Sequence, residues 1–175
     1  METIITNQDH LKEEDMTEVV RRVKIFLVNS QNEILLGYSH HEYQCPGGHV
    51  EENEDLVDAI NREILEETGM DLHVTEAEPF ACTLGYYKDW PSPGKNRKIE
   101  IYYYEILTDE KPNLSHTNYT QNEKEGNFEL RYVPLDRMEE EFIQNRNQYG
   151  DEHGIAQEML KILKIYKDMK KRTKN

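Results

Sequence analysis

GHVEENEDLVDAINREILEETGM, residues 48–70, is the stretch on which the reading of this chain turns. From Leu56 onward, Leu56, Val57, Ala59, Ile60 and Ile64 recur on one side at the helical period. Gly69 ends such a helix, because a left-handed terminal residue carries no Cβ penalty in glycine. Glu63, Glu66 and Glu67 then stand at i, i+3 and i+4, on one face of the last turn. Like charges there repel one another and oppose the helix dipole. At about 100° per residue, Glu63 and Glu67 continue the line of Leu56, so the core-facing stripe becomes a carboxylate patch where the helix stops. A hard divalent cation resolves the conflict, since Mg²⁺ and Mn²⁺ take oxygen ligands from clustered carboxylates. A solvated acidic face is the other reading, and the carboxylates alone do not separate the two.

Ahead of the helix, Pro46-Gly47-Gly48 supplies a tight loop, with glycines where backbone must approach a ligand closely. With Gly48, Glu54, the run Arg62-Glu63-Ile64-Leu65-Glu66-Glu67 and Gly69, the chain matches every fixed position of the Nudix box and so resembles the Nudix hydrolases. The resemblance implies an α/β fold, an α/β/α sandwich with a mixed β-sheet and a loop–helix–loop catalytic motif. It also implies divalent-metal-dependent hydrolysis of a pyrophosphate bond in a nucleoside diphosphate linked to another moiety. Mg²⁺ or Mn²⁺ would then be the cofactor, held by Glu63, Glu66 and Glu67, with the Gly48 carbonyl as a backbone ligand. Glu54 and Arg62 look like braces of the loop–helix unit; an i, i+4 surface pair of Asp58 with Arg62 is the competing reading, and both stand at this point. Members of this family often recruit a further glutamate as base from outside the box. Here residues 108–127 form a long aperiodic segment ending in Asn122-Glu123-Lys124-Glu125-Gly126, and such segments are often lids. Glu125 is the expected base, because it lies nearer the following strand and is positioned with less entropy loss. Two readings from other classes remain: a non-catalytic nucleotide-binding regulator, and an isoprenoid-diphosphate isomerase, toward which only Cys45 leans.

Composition narrows the partners. The 175 residues suit a single domain, and a hydrophobic content of 36% spread along the chain is enough for a core. Against 21 Lys and Arg stand 35 Asp and Glu, a net charge of −14. So negative a surface repels nucleic acid and anionic membranes, and it repels a phosphorylated small molecule too unless a metal and local cations intervene. The expected partner is therefore a small nucleoside diphosphate derivative; a homodimer is left open. Cys45 and Cys82 form no metal-binding spacing, and Cys45 reads as a small buried hydrophobe. No basic start precedes an apolar run, and no apolar run reaches membrane-spanning length, so a cytoplasmic location is the expectation.

Around the box, residues 1–17 read as a loose arm or an edge strand. Strands are expected at Val19–Asn29, Glu33–Tyr38, Leu72–Thr75, Pro79–Tyr87, Arg97–Leu107 and Phe128–Val133, by alternation and by turn residues between them. Helices are expected at Leu135–Asn145 and, from Ile155, Met159, Ile162, Leu163, Tyr166 and Met169, at the C-terminal end. Arg21, Arg22, Lys24, Arg97 and Lys98 are candidate phosphate contacts in an acidic chain. Tyr86, Tyr87, Trp90 and Tyr102 to Tyr104 offer faces on which a base can stack, although alternation sends about half of them into packing instead. Of these, Arg21, Tyr86, Tyr87 and Arg97 are taken as the substrate-binding set.

Overall fold

The computed structural model describes residues 1–173. Its centre is a pair of parallel eleven-residue strands, β2 (Glu18–Val28) and β6 (Arg97–Leu107), in continuous register from Glu18↔Arg97 to Val28↔Leu107. Outward from β6 lie β5 (Ala81–Tyr87), antiparallel, and then β1 (Glu2–Thr6), parallel to β5, so the start of the chain is an edge strand and not a loose arm. On the other side β2 meets β3 (Glu33–Ser39) antiparallel at only Leu27↔Leu35 and Val28↔Ile34. Beyond that point the two strands diverge. β3 continues with β4 (Glu42–Gln44) and, along its other edge, with β7 (Glu129–Pro134). The sheet is mixed, as the resemblance implied.

Side chains alternate across the two faces. Val23, Ile25 and Leu27 of β2 pack with Tyr104 against Ala59, Ile60 and Ile64 of α1 (Leu56–Thr68). Phe26 and Val28 pack with Tyr103 against Met138 and Phe142 of α3 (Met138–Tyr149) and against Met159, Ile162, Leu163 and Tyr166 of α4 (Ile155–Arg172). Helices therefore cover both faces. Phe26 anchors the core beneath α3 and α4, its ring 5.0 Å from Tyr166 and 5.2 Å from Phe80 between centroids.

The helix α1 survives its acidic end because packing outweighs repulsion. Each fully buried apolar side chain contributes about 1.5–3 kcal/mol, and Ala59, Ile60, Ile64 and Met70 are all buried. A like-charge i, i+4 pair costs only about 0.2–0.5 kcal/mol. Both ends are also finished: Asp55 accepts from the Val57 and Asp58 amides at 2.9 and 2.8 Å, and Gly69 takes the left-handed conformation with φ +70°.

The structure differs from expectation in three segments. Leu72–Thr75 is not a strand; the Asn61 side-chain amide holds Val74 through both its backbone groups at 2.8 Å, taking the place of a neighbouring strand. The predicted helix at Leu135–Asn145 begins at Met138 instead, after a turn in which Arg137 donates to the Pro134 carbonyl. Residues 108–127 include a short helix, α2 (Gln121–Glu125), and are tied to the end of α1: Asn113 donates to the Thr68 carbonyl at 2.9 Å and Asn118 to the Glu66 carbonyl at 2.8 Å. Those bonds satisfy carbonyls that the helix terminus leaves without partners.

Candidate active site

Where β2 leaves β3, the loop before α1 takes the freed edge. Ile25 donates to the Pro46 carbonyl at 2.8 Å, Val23 to Gly48 at 3.0 Å, and Val50 to Arg21 at 2.9 Å. The approach needs glycine at Gly47, whose φ is +137° and where a Cβ would run into the Val23 carbonyl. One lone pair of the Gly48 carbonyl is thus used by Val23, and the other remains for a ligand.

Gly48, Glu63, Glu66 and Glu67 line one cavity of about 320 Å³, together with Arg62 and Glu123. Arg62 pairs with Glu54 and not with Asp58: Nε and Nη2 reach the two Glu54 oxygens at 2.8 and 2.9 Å. Its Nη2 also donates to the His49 carbonyl at 2.7 Å, and its Nη1 to Glu63 at 2.7 Å and Glu66 at 3.3 Å. The Glu54 oxygen Oε2 accepts in addition from the Glu51 amide at 2.8 Å, so the loop and the helix are cross-tied through this ion pair.

Glu63 and Glu67 are each only 7% exposed. Burial pushes both carboxyls above their ordinary range, Glu67 furthest, and the charges of Glu63 and Glu123 push Glu67 in the same direction. Among the described residues no Lys, Arg or His stands within ion-pair distance of Glu67, and one hydrogen bond reaches it, from the Gly47 amide at 3.3 Å. As the side chains stand, no three His, Cys, Asp or Glu among the described residues converge tightly enough to grip an ion, and Arg62 holds Glu63 and Glu66 at 2.7 and 3.3 Å. The donor set nonetheless fits a hard divalent cation. It consists of carboxylate oxygens on one helical face, beside a backbone carbonyl, with a buried and weakly partnered Glu67 at its centre.

The expected base and this structure part company. Glu125 lies outside the carboxylate cavity, where it accepts from Gln121 at 2.8 Å and lines a different hollow with Tyr38, His40 and His41. Glu123 is the glutamate of α2 that faces the box. One of its oxygens accepts from the Thr120 amide at 2.6 Å and hydroxyl at 2.9 Å, which fixes the side chain.

Through Gly47 and Gly48 the carboxylate cavity adjoins a larger one of about 510 Å³ on the α4 face of the sheet. Its lining includes Tyr87 and Trp90, Ile99 and Ile101 of β6, and Ile155 and Glu158 of α4. Of the expected substrate-binding residues only Tyr87 lines it. Tyr86, one position earlier, turns to the other face and bonds Glu13 at 2.5 Å. Arg21 likewise belongs to the α1 face, beside Tyr102, while its neighbour Arg22 lines the cavity. Arg97 sits behind the rim, paired with Glu18 at 2.7 Å and stacked 4.5 Å over the Trp90 ring. Trp90, named among the stacking faces but left out of the substrate-binding set, also lines the cavity, and Glu158 went unread. Trp90 stands in a loop of prolines, and Glu158 resembles any surface acid of an amphipathic helix.

The whole arrangement agrees with one family. The NUDIX domain model matches residues 19–152, and the chain belongs to the NUDIX family. No curated protein sequence matches the chain. Among solved structures, it is similar to the E. coli ORF135 protein, with a TM-score of 0.57 and 16% identity over 91% of this chain and 95% of that one. It is also similar to DR0079 from Deinococcus radiodurans, with a TM-score of 0.51 and 18% identity over 90% and 88%. A C. elegans Ap4A hydrolase in a binary complex gives a TM-score of 0.50 and 17% identity over 86% and 96%. At these identities the likeness establishes the fold. No helix among the described residues is long and apolar enough to cross a membrane.

Proposed function

We propose that this NUDIX-domain hydrolase cleaves the pyrophosphate linkage of a nucleoside diphosphate derivative with Mg²⁺ or Mn²⁺. Glu67 carries the reading: a buried carboxylate beside two others, with no cation of the described residues paired to it. Glu63, Glu66, Glu67 and the Gly48 carbonyl would hold the ion. When bound, it neutralises diphosphate charge and makes water a better nucleophile.

The remaining work falls to the chain. Glu123, oriented by Thr120, takes the proton from a water whose oxygen bonds to phosphorus as the bridging P–O bond breaks. The leaving phosphate oxygen departs with the electron pair. Arg62 keeps the carboxylate face in register through Glu54 and His49. The larger cavity, lined by Tyr87, Trp90 and Ile155, takes a flat organic moiety by stacking and apolar contact. Dinucleoside polyphosphates are within this class, and the likeness to an Ap4A hydrolase puts them in the first panel to be tried. A screen of nucleoside di- and triphosphate compounds with Mg²⁺ and with Mn²⁺, reading phosphate release and product masses, tests the proposal. Cleavage of at least one at the pyrophosphate bond is expected; no cleavage with either metal overturns it.

A further inference from the structure

Among the described residues, no carboxylate lies within ion-pair distance of Arg22. It sits on β2 where the two cavities meet, lining the larger one and bridged through its backbone to His49 of the metal-side loop. Its guanidinium carries five N–H donors. Nη2 bonds the His49 ring at 3.1 Å, whereas Nε is buried and has no hydrogen-bond partner among the described residues.

The neighbouring cations are treated differently. Arg62 pairs with Glu54, Arg97 with Glu18, Lys98 with Glu13 and Lys24 with Glu158. In a chain with 35 acidic residues, a half-buried arginine with no carboxylate of the described residues within ion-pair distance stands out. Burial works against its charge, and Arg97 adds repulsion, while Glu158 on one side and Glu63 on the other attract it without touching it. A buried, unmatched donor of this kind is costly unless a ligand completes it.

We propose that Arg22 receives the phosphate group that joins the moiety in the larger cavity to the linkage cleaved at the carboxylates. This assignment rests on the hydrolytic reading above and deepens it. A planar guanidinium matches two phosphate oxygens at once, which a lysine ammonium does not. His49 sets the geometry. Because arginine only donates, the His49 Nε2 must accept, and the His49 carbonyl in turn accepts from Arg62 at 2.7 Å. One loop residue thus fixes the phosphate-binding arginine relative to the arginine that orders the carboxylates. Arg22 is a positioning and specificity residue that reads the phosphate nearest the organic moiety.

The test compares adenosine, guanosine, cytidine and uridine with AMP, GMP, CMP and UMP, titrated calorimetrically into metal-free wild type, Arg22→Gln and Arg22→Lys. At least one monophosphate should bind the wild type more tightly than its nucleoside by roughly ten- to a hundredfold, the range of a charge-assisted hydrogen bond. Arg22→Gln should lose that ratio while keeping nucleoside affinity, and Arg22→Lys should recover part of it. The melting temperature of ligand-free Arg22→Gln should not fall, since an unpaired buried charge has been removed. An unchanged ratio in Arg22→Gln, or no gain from the phosphate in the wild type, overturns the assignment. Turnover separates the two levels: wild-type hydrolysis with unaltered KM in Arg22→Gln sinks Arg22 alone, whereas no hydrolysis by the wild type sinks the reading it rests on.

Discussion

Arg62 grips Glu54 with two prongs, Nε to Oε1 at 2.8 Å and Nη2 to Oε2 at 2.9 Å, and turns its remaining nitrogen to Glu63 and Glu66. The loop before α1 and the carboxylates at its end are therefore one mechanical unit. Glu54→Gln should destabilise the protein by roughly 1–3 kcal/mol, the scale of hydrogen bonds to a charged group. Combined with Arg62→Met, the loss should be clearly less than the sum of the two single changes, because both remove the same interaction. Additive losses in urea denaturation would show that the pair is incidental.

Glu123→Gln should cut turnover by about 10²–10⁴, the usual contribution of a positioned base, with the fold and the Mg²⁺ requirement little changed. Glu125→Gln should leave turnover near wild type, since Glu125 faces Gln121 and a separate hollow. Steady-state kinetics on the two variants decide it. The reverse ranking would return the base to Glu125.

The pH dependence of stability follows from Glu67. Its folded-state carboxyl holds a proton more tightly than the ordinary value of 4.5 allows. The unfolded chain therefore binds fewer protons than the native state above that pH, and stability falls as pH rises. For protein kept in chelator, the melting temperature should drop between about pH 4.5 and neutrality, and Glu67→Gln should flatten the drop. Mg²⁺ should oppose it, because the ion binds the ionised form. A metal-free melting temperature that climbs with pH over this window, in the wild type only, would refute the assignment to Glu67.

Cys45 is buried, and burial pushes its thiol far up; Cys82 is pushed up to about 11. Thiol reagents should label neither residue in the native protein at neutral pH, since the thiolate is the reactive form. Cys45→Ala should keep hydrolysis. Loss of all activity in a folded Cys45→Ala would favour the isomerase reading.

The long elements were legible because their patterns are long. β6 spans Arg97–Leu107 as its alternation predicts, and α1 ends at Gly69 as its glycine predicts. β4, of three residues, and α2, of five, carry too little pattern to announce themselves. Within the site, the box is read directly, but its surroundings depend on parity. A strand shifted by one residue exchanges its faces, which is why Arg22 and Tyr87 line the cavity while Arg21 and Tyr86 do not. Glu123 and Glu125 differ for a similar reason: residues two apart on a helical turn do not share a side. Glu158 and Ile155 reach the site only through the packing of α4 on the sheet, which no local motif encodes.

The proposed hydrolysis requires Glu63, Glu66 and Glu67 to form a divalent-metal site. The most direct measurement is Mn²⁺ binding followed by electron paramagnetic resonance on wild type and Glu67→Gln at matched ionic strength. Saturable Mn²⁺ binding by the wild type, displaced by Mg²⁺ and weakened at least about tenfold in Glu67→Gln, is the expected result, on the scale of lost metal coordination. Equal Mn²⁺ affinity in the two proteins, or no saturable binding in either, would contradict it and return the cluster to an acidic face without a metal.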